Sequence, residues 1–246
     1  MSTILILGAT RGMGRSLARH YAEQGHRLIL MGRNAEELES SAADARARGP
    51  KSTVETAVCD LESVESFAPT LESVWKGAGK VDTVIVTAAL FGTQAQLEAD
   101  PVLLEKVLRV SFTNTIVFCE EARKRLMGQG GGTLCVFSSV AGDRGRKPVG
   151  LYGAAKAGLS HYLEALDHNY RAQGLVTVCV KPGFVKTGMT AGLKPPPFAG
   201  EPEQVAADVA RAIASGKPLI YTPFMWRWVM LVIRNLPRFV MRKINF

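Results

Sequence analysis

The stretch Ile4–Gly25, "ILILGATRGMGRSLARHYAEQG", reads as a strand, a glycine turn and a helix. Gly8, Gly12 and Gly14 fall in the spacing G-x-x-x-G-x-G. Without a Cβ they let the chain turn tightly and let a pyrophosphate approach the helix N-terminus. An ordinary strand-to-helix loop is the alternative, and the position at the first βα turn favours the nucleotide reading.

Working outward, the same alternation recurs. The runs "TILILG", "HRLILMG", "STVETAVCD", "DTVIVTAAL", "GTLCVFSS", "LVTVCVKPG" and "PLIYTP" are short, apolar and β-rich, and helical stretches of about a dozen residues or more separate them. This pattern predicts an α/β fold, a doubly wound and mostly parallel sheet of seven strands, in one domain over residues 1–246. The irregular segments, Gly142–Gly150 and the Pro-rich 192–200, are expected at the carboxyl ends of strands, where open α/β sheets bind ligands.

The second strand ends in "ILMGRN". A site selective for NAD generally has an acid there for the ribose 2′-hydroxyl, whereas an arginine accommodates the 2′-phosphate of NADP. This chain has Gly32 followed by Arg33, and Arg11 in the glycine turn supplies a second guanidinium. The expected cofactor is NADP(H); the plainer alternative is two solvated surface charges.

Composition excludes several classes. The chain has 246 residues and a net charge of +8. Seven cations and no acid follow Asp208, leaving about +1 for the first 208 residues. A nucleic-acid protein is expected instead to spread its basic residues along a face of the body. Cys59, Cys119, Cys135 and Cys179 are widely spaced with no CxxC pair, so neither a disulfide framework nor a zinc site is indicated. The N-terminus reads as a first strand and not as a signal peptide, which suits a cytoplasmic protein.

In "SSVAGDRGRKPVGLYGAAK", Ser138–Lys156, Tyr152 and Lys156 stand at i and i+4 and share a face if the segment is a helix. A unit charge 5–6 Å from the phenol at an effective dielectric near 20 is worth about 3 kcal/mol, enough to lower its pKa by roughly two units. Tyr152 is then a general acid for a carbonyl oxygen that gains charge as hydride arrives, and the Ser139 hydroxyl can hydrogen-bond the same oxygen. Alone, a Tyr-x-x-x-Lys pair is common on helix surfaces.

It is accompanied by the glycine turn at Gly8, "CDL" at 59–61, Ser139 thirteen residues before Tyr152, "YGAAK" at 152–156 and "KPGFVKT" at 181–187. In this order and spacing the chain resembles the short-chain dehydrogenase/reductase family over nearly its whole length. The resemblance implies a Rossmann-like fold, Tyr152 as acid/base, Ser139 positioning the carbonyl, and Lys156 both tuning the tyrosine and holding the nicotinamide ribose. It places Gly8, Thr10, Arg11, Gly12, Met13, Gly14, Arg33, Asp60, Leu61, Ala88, Tyr152 and Lys156 around the cofactor, with Asp60 near the adenine. Pro182, Gly183, Val185 and Thr187 are implied to flank the nicotinamide, and a mobile loop at about 188–202 to close on substrate. Family resemblance also favours a homodimer or homotetramer.

The chain departs from the family at two points. "VTAA" (Val86–Ala89) stands where the family usually has N-N-A-G, and Ser111 stands where an asparagine usually completes a proton relay. Ser111 can hold the relay water, Asn114 can substitute from the next turn, or Asn114 makes only a structural hydrogen bond.

Arg144, Arg146 and Lys147 lie between Ser139 and Tyr152, where they favour a phosphate- or carboxylate-bearing substrate or simply keep the loop soluble. In the segment 222–246, Arg227, Arg234, Arg238 and Arg242 fall within about 80° of one continuous helix. Such a helix lies in a membrane interface or packs on a neighbouring subunit, being too short and interrupted to span a bilayer. Together these features are similar to the branch that reduces a decaprenylphosphoryl 2-keto-erythropentose. The expected activity is NADPH-dependent reduction of a small-molecule or lipid-linked ketone. The alternatives are a 3-oxoacyl-carrier-protein or small-ketone reductase, and a non-catalytic NADP-sensing regulator.

Overall fold

A computed structural model describes residues 1–245, so Phe246, the end of the expected tail segment, lies outside the described residues. The strands are β1 (Thr3–Leu7), β2 (Arg27–Gly32), β3 (Val54–Val58), β4 (Thr83–Val86), β5 (Gly132–Phe137), β6 (Leu175–Pro182) and β7 (Leu219–Thr222). All seven runs expected from the sequence form strands. They make one sheet in the order β3-β2-β1-β4-β5-β6-β7, and every pairing is parallel.

The helices are α1 (Gly12–Glu23), α2 (Ala35–Arg48), α3 (Phe67–Ala78), α4 (Gln94–Ala99), α5 (Pro101–Leu108), α6 (Asn114–Gly128), α7 (Gly150–Tyr170), α8 (Pro202–Ala214), α9 (Met225–Asn235) and α10 (Arg238–Met241). The central strands are largely apolar because both faces are covered, whereas the edge strand β3 exposes Glu55 and Thr56, and alternate residues of the central strands feed two separate cores. Leu5, Leu7, Val84, Val86, Leu134 and Val136 pack with Phe67, Phe118 and Leu163 from α3, α6 and α7. Ile4, Ile6, Ile85, Cys135 and Val178 pack with Leu17, Leu38 and Val209 from α1, α2 and α8. All four cysteines are free and buried.

Strand order reverses between β1 and β4, which opens a crevice at the carboxyl ends of the strands on either side. The basic C-terminal segment is not one continuous helix, as its arginine spacing suggested. Leu236 is extended and Pro237 follows, so α9 and α10 are separate pieces. Within α9, Trp226, Met230 and Ile233 recur at helical spacing and bury themselves against Val140, with Phe184 and Tyr221 beside them. One face of α9 is therefore packed on the body of the protein, whereas α10 buries no residue. Among the described residues no helix is long and apolar enough to cross a membrane.

Candidate active site

A cavity of about 680 Å³ occupies the strand-order reversal. Of the residues expected around a dinucleotide, Gly8, Thr10, Arg11, Gly12, Met13, Gly14, Arg33, Asp60, Leu61, Ala88 and Thr187 line it. The glycine turn is built for close approach. A Cβ on Gly14 would stand 2.1 Å from the carbonyl oxygen of Gly8, and Gly8 itself has φ of +92°. The first turn of α1 can thus sit directly on the turn and face the groove with its unpaired N–H groups. The size, the bare turn and the two arginines fit a nicotinamide dinucleotide.

Two acids in the same groove were missed by the sequence reading. Glu37 forms an ion pair and hydrogen bonds with Arg11, and Glu62 lies 3.9 Å from Arg33 while pairing with Lys106 at 2.8 Å. Hydrogen bonding from Arg11 holds the Glu37 carboxyl below its usual range, and Lys106 does the same for Glu62. The only sequence signal for Glu37 was its place in the first turn of α2, after the Asn34 cap whose side chain accepts from the Glu37 N–H.

Pro182, Gly183, Val185, Tyr152 and Lys156, also expected around the cofactor, do not line the groove; Tyr152 and Lys156 are buried, Tyr152 behind the groove wall at Phe91. Val185 is a core residue, and a Cβ on Gly183 would stand 2.1 Å from the Trp226 indole nitrogen. That nitrogen donates to the Phe198 carbonyl at 3.1 Å. Trp226 thus fixes both the chain after β6 and the loop at 188–202, through separations that no local pattern reveals.

Tyr152 and Lys156 project from one side of α7, with the Lys156 ammonium 5.8 Å from the tyrosine ring centroid. The turn that follows Ser139 packs tightly on α7: a Cβ on Gly153 would stand 2.6 Å from the Ala141 carbonyl oxygen. The Ser139 hydroxyl accepts from the Ala141 N–H at 3.1 Å. Tyr152 stacks edge-on against Phe91 at 5.1 Å, and Phe91 lines the groove.

The expected lowering of the Tyr152 pKa does not occur in this arrangement. Burial raises the phenol above its ordinary value. Burial also pushes Lys156 down to about 8, and its Nζ donates to the Phe137 carbonyl at 2.9 Å. Desolvation of each group outweighs the attraction expected between the pair. The consequence for chemistry is a Tyr152 that stays protonated across the neutral range and is ready to donate.

Ser111 is fully buried, and its hydroxyl donates to the Leu90 carbonyl at 2.8 Å while accepting from the Leu90 N–H at 2.9 Å. Asn114 donates to the Leu61 carbonyl at 2.6 Å. Neither residue lines the groove, but Leu90 and Leu61 do. In this geometry both side chains position the groove wall.

The family model described as short chain dehydrogenase matches residues 2–197. An uncharacterized oxidoreductase of Mycobacterium tuberculosis is 33% identical over 240 residues, covering 98% of this chain and 96% of that protein. A 3-oxoacyl-[acyl-carrier-protein] reductase of Bos taurus is 27% identical over 188 residues, covering 76% of this chain and 77% of that protein. Among solved structures, an actinorhodin polyketide ketoreductase variant with NADPH superposes with a TM-score of 0.80 at 23% identity, covering 90% of this chain and 95% of that one, which is a likeness of fold. With the parallel sheet, the glycine-lined groove and the family match agreeing, the chain belongs to the short-chain dehydrogenase family of oxidoreductases.

Proposed function

We propose that this protein is an NADPH-dependent ketoreductase whose substrate is an amphiphilic, lipid-linked ketone such as a polyprenyl-phosphate keto sugar. The observation that carries the reductase reading is Tyr152: its hydroxyl makes no hydrogen bond with any described residue, burial keeps it protonated, and its ring abuts the groove wall at Phe91. A reduced nicotinamide in the groove supplies the hydride. Tyr152 donates its proton to the carbonyl oxygen, Ser139 holds that oxygen by its hydroxyl, and Lys156 places positive charge behind the pair. Gly8, Thr10, Arg11, Gly12, Met13, Gly14, Asp60, Leu61, Ala88 and Thr187 hold the dinucleotide. The test is oxidation of NADPH and of NADH across panels of keto-lipids, acyl thioesters and small ketones. Turnover confined to acyl thioesters would favour the 3-oxoacyl-carrier-protein reductase reading, which the Bos taurus relative supports by name.

Arg11 and Arg33 support NADPH over NADH, with Glu37 and Glu62 as their present partners. A 2′-phosphate must draw Arg11 away from Glu37. Glu37→Gln is therefore expected to tighten NADPH binding several-fold, and Arg33→Asp to weaken it at least ten-fold while improving NADH. Fluorescence titration with both cofactors reads this, and a wild type that prefers NADH overturns the arginine assignment.

The face of α9 turned away from the body supports peripheral contact with the cytoplasmic membrane surface. Trp228, Leu231 and Val232 are more than half exposed, with Arg227 and Arg234 nearby in sequence. Exchanging Trp228, Leu231 and Val232 together for Ser leaves the buried face intact. It is expected to abolish salt-sensitive cosedimentation with anionic liposomes and to lower activity on a lipid-linked ketone far more than on a water-soluble one. If the triple variant instead falls from oligomer to monomer with sedimentation unchanged, α9 is a subunit contact, as in a homodimer or homotetramer.

A further inference from the structure

A second cavity, of about 430 Å³, lies outside the nucleotide groove. One wall is Arg144, Gly145, Arg146 and Lys147, the loop between the Ser139 turn and α7; the other is the chain end, with Arg238, Met241, Arg242 and Ile244. Five cations thus converge from segments about ninety residues apart in sequence, and among the described residues no acidic side chain lines the space. The two walls are tied together by Arg144, whose guanidinium donates to the Leu236 carbonyl at 3.0 Å.

The nearest acid in sequence is already committed. Asp143 accepts from Lys181 at 2.5 Å through one oxygen and from Tyr221 at 2.8 Å through the other, and its side chain is 1% exposed. Among the described residues Arg144, Lys147, Arg238 and Arg242 form no ion pair. Arg144, Lys147, Arg238 and Arg242, like charges without an ion-pair partner among the described residues, repel one another across this space, an anion taken up there relieves that repulsion, and guanidiniums match phosphate oxygens in fork geometry. Met241 and Ile244 add an apolar side to the same space.

We infer that this cavity is a phosphate subsite, which binds the phosphoryl group of a phosphate ester through Arg144, Arg146, Lys147, Arg238 and Arg242. Lys147 is five residues from Tyr152 and Arg144 five from Ser139, so the loop wall starts within about 18 Å of the reacting groups along an extended chain. A ketone whose far end carries a phosphate can therefore be held at both ends. As a substrate subsite this rests on the reductase reading; the binding does not. The tail has a second role in this account, since it completes a site that the catalytic loop only half builds.

The experiment is calorimetric titration of octyl phosphate, glycerol phosphate and octanol into the full chain saturated with NADPH, which removes phosphate binding in the nucleotide groove. Both phosphates are expected to bind and octanol not. Octyl phosphate binding at least ten-fold more tightly than glycerol phosphate identifies a lipid-linked ester as the source; equal affinities identify a soluble one. Arg238→Ala/Arg242→Ala and Lys147→Ala are each expected to weaken binding at least ten-fold, whereas Lys51→Ala/Lys217→Ala, with the same charge change as the double variant and both positions exposed and outside the cavity, stays within two-fold. Undiminished binding in either cavity variant, or an equal loss in the control, overturns the subsite. NADPH oxidation measured separately keeps the two readings apart. Phosphate binding without turnover of any ketone sinks the reductase reading and leaves the subsite standing, and the reverse result does the opposite.

Discussion

Tyr152→Phe is expected to reduce carbonyl turnover by about 10²–10⁴-fold while leaving NADPH binding within a few-fold of the wild type. The substitution removes one oxygen and keeps the ring, so the edge-on contact with Phe91 and the packing among Leu97, Val107 and Ala141 survive. What disappears is the proton that the reduced oxygen must take up, and a positioned general acid is worth about 10²–10⁴-fold. The hydroxyl makes no hydrogen bond with any described residue, so no structural partner is orphaned and stability should hold. Steady-state kinetics and a thermal melt together decide the matter. Retained turnover in a folded variant would falsify the assignment of Tyr152, and a large fall in melting temperature would show that the loss came from the fold.

Lys156→Met should cost activity and relieve a folding penalty at once. The side chain is 2% exposed, and its folded pKa of about 8 lies below the ordinary 10.5. A lowered lysine pKa means that the unfolded chain binds the proton more tightly than the folded one. The penalty is fully present below pH 8 and is relieved as pH rises from about 8 to 10.5. At 1.36 kcal/mol per unit that fall corresponds to roughly 3 kcal/mol. The methionine variant has no such penalty, although the Phe137 carbonyl loses its donor, which offsets about 1–3 kcal/mol of the gain near neutrality. Denaturant melts of the cofactor-free proteins from pH 7 to pH 10.5 isolate the effect as a difference. Wild type minus variant should rise with pH, because the other alkaline titrations are common to both. Turnover should drop at least 100-fold and NADPH affinity should weaken. A flat difference would mean that the ammonium is not held in the desolvated position described here.

The sequence by itself determined the seven strands, their parallel winding, the glycine turn and the Tyr152–Lys156 pair. Each of these rests on local chemistry. A strand buried on both faces must be apolar at every residue, a helix brings i and i+4 together, and a turn under a helix N-terminus must lack Cβ where Gly14 meets the Gly8 carbonyl. The charges were legible as a count and not as an arrangement. Arg11 and Arg33 could be named from their positions, but Glu37 and Glu62 reach them across the groove only once β1, β2 and β3 lie side by side. Only the tertiary structure decided that burial outweighs the lysine's pull on Tyr152, because desolvation is set by everything packed around a group and spacing says nothing of it. The same holds for the tail. Its arginine stripe suggested one continuous helix, whereas the chain bends at Leu236–Pro237, buries Trp226 beneath Gly183, and brings Arg238 and Arg242 to the loop that carries Arg144. Contacts between residues some ninety positions apart depend on where the sheet places its last strand, and periodicity within either segment cannot contain that information.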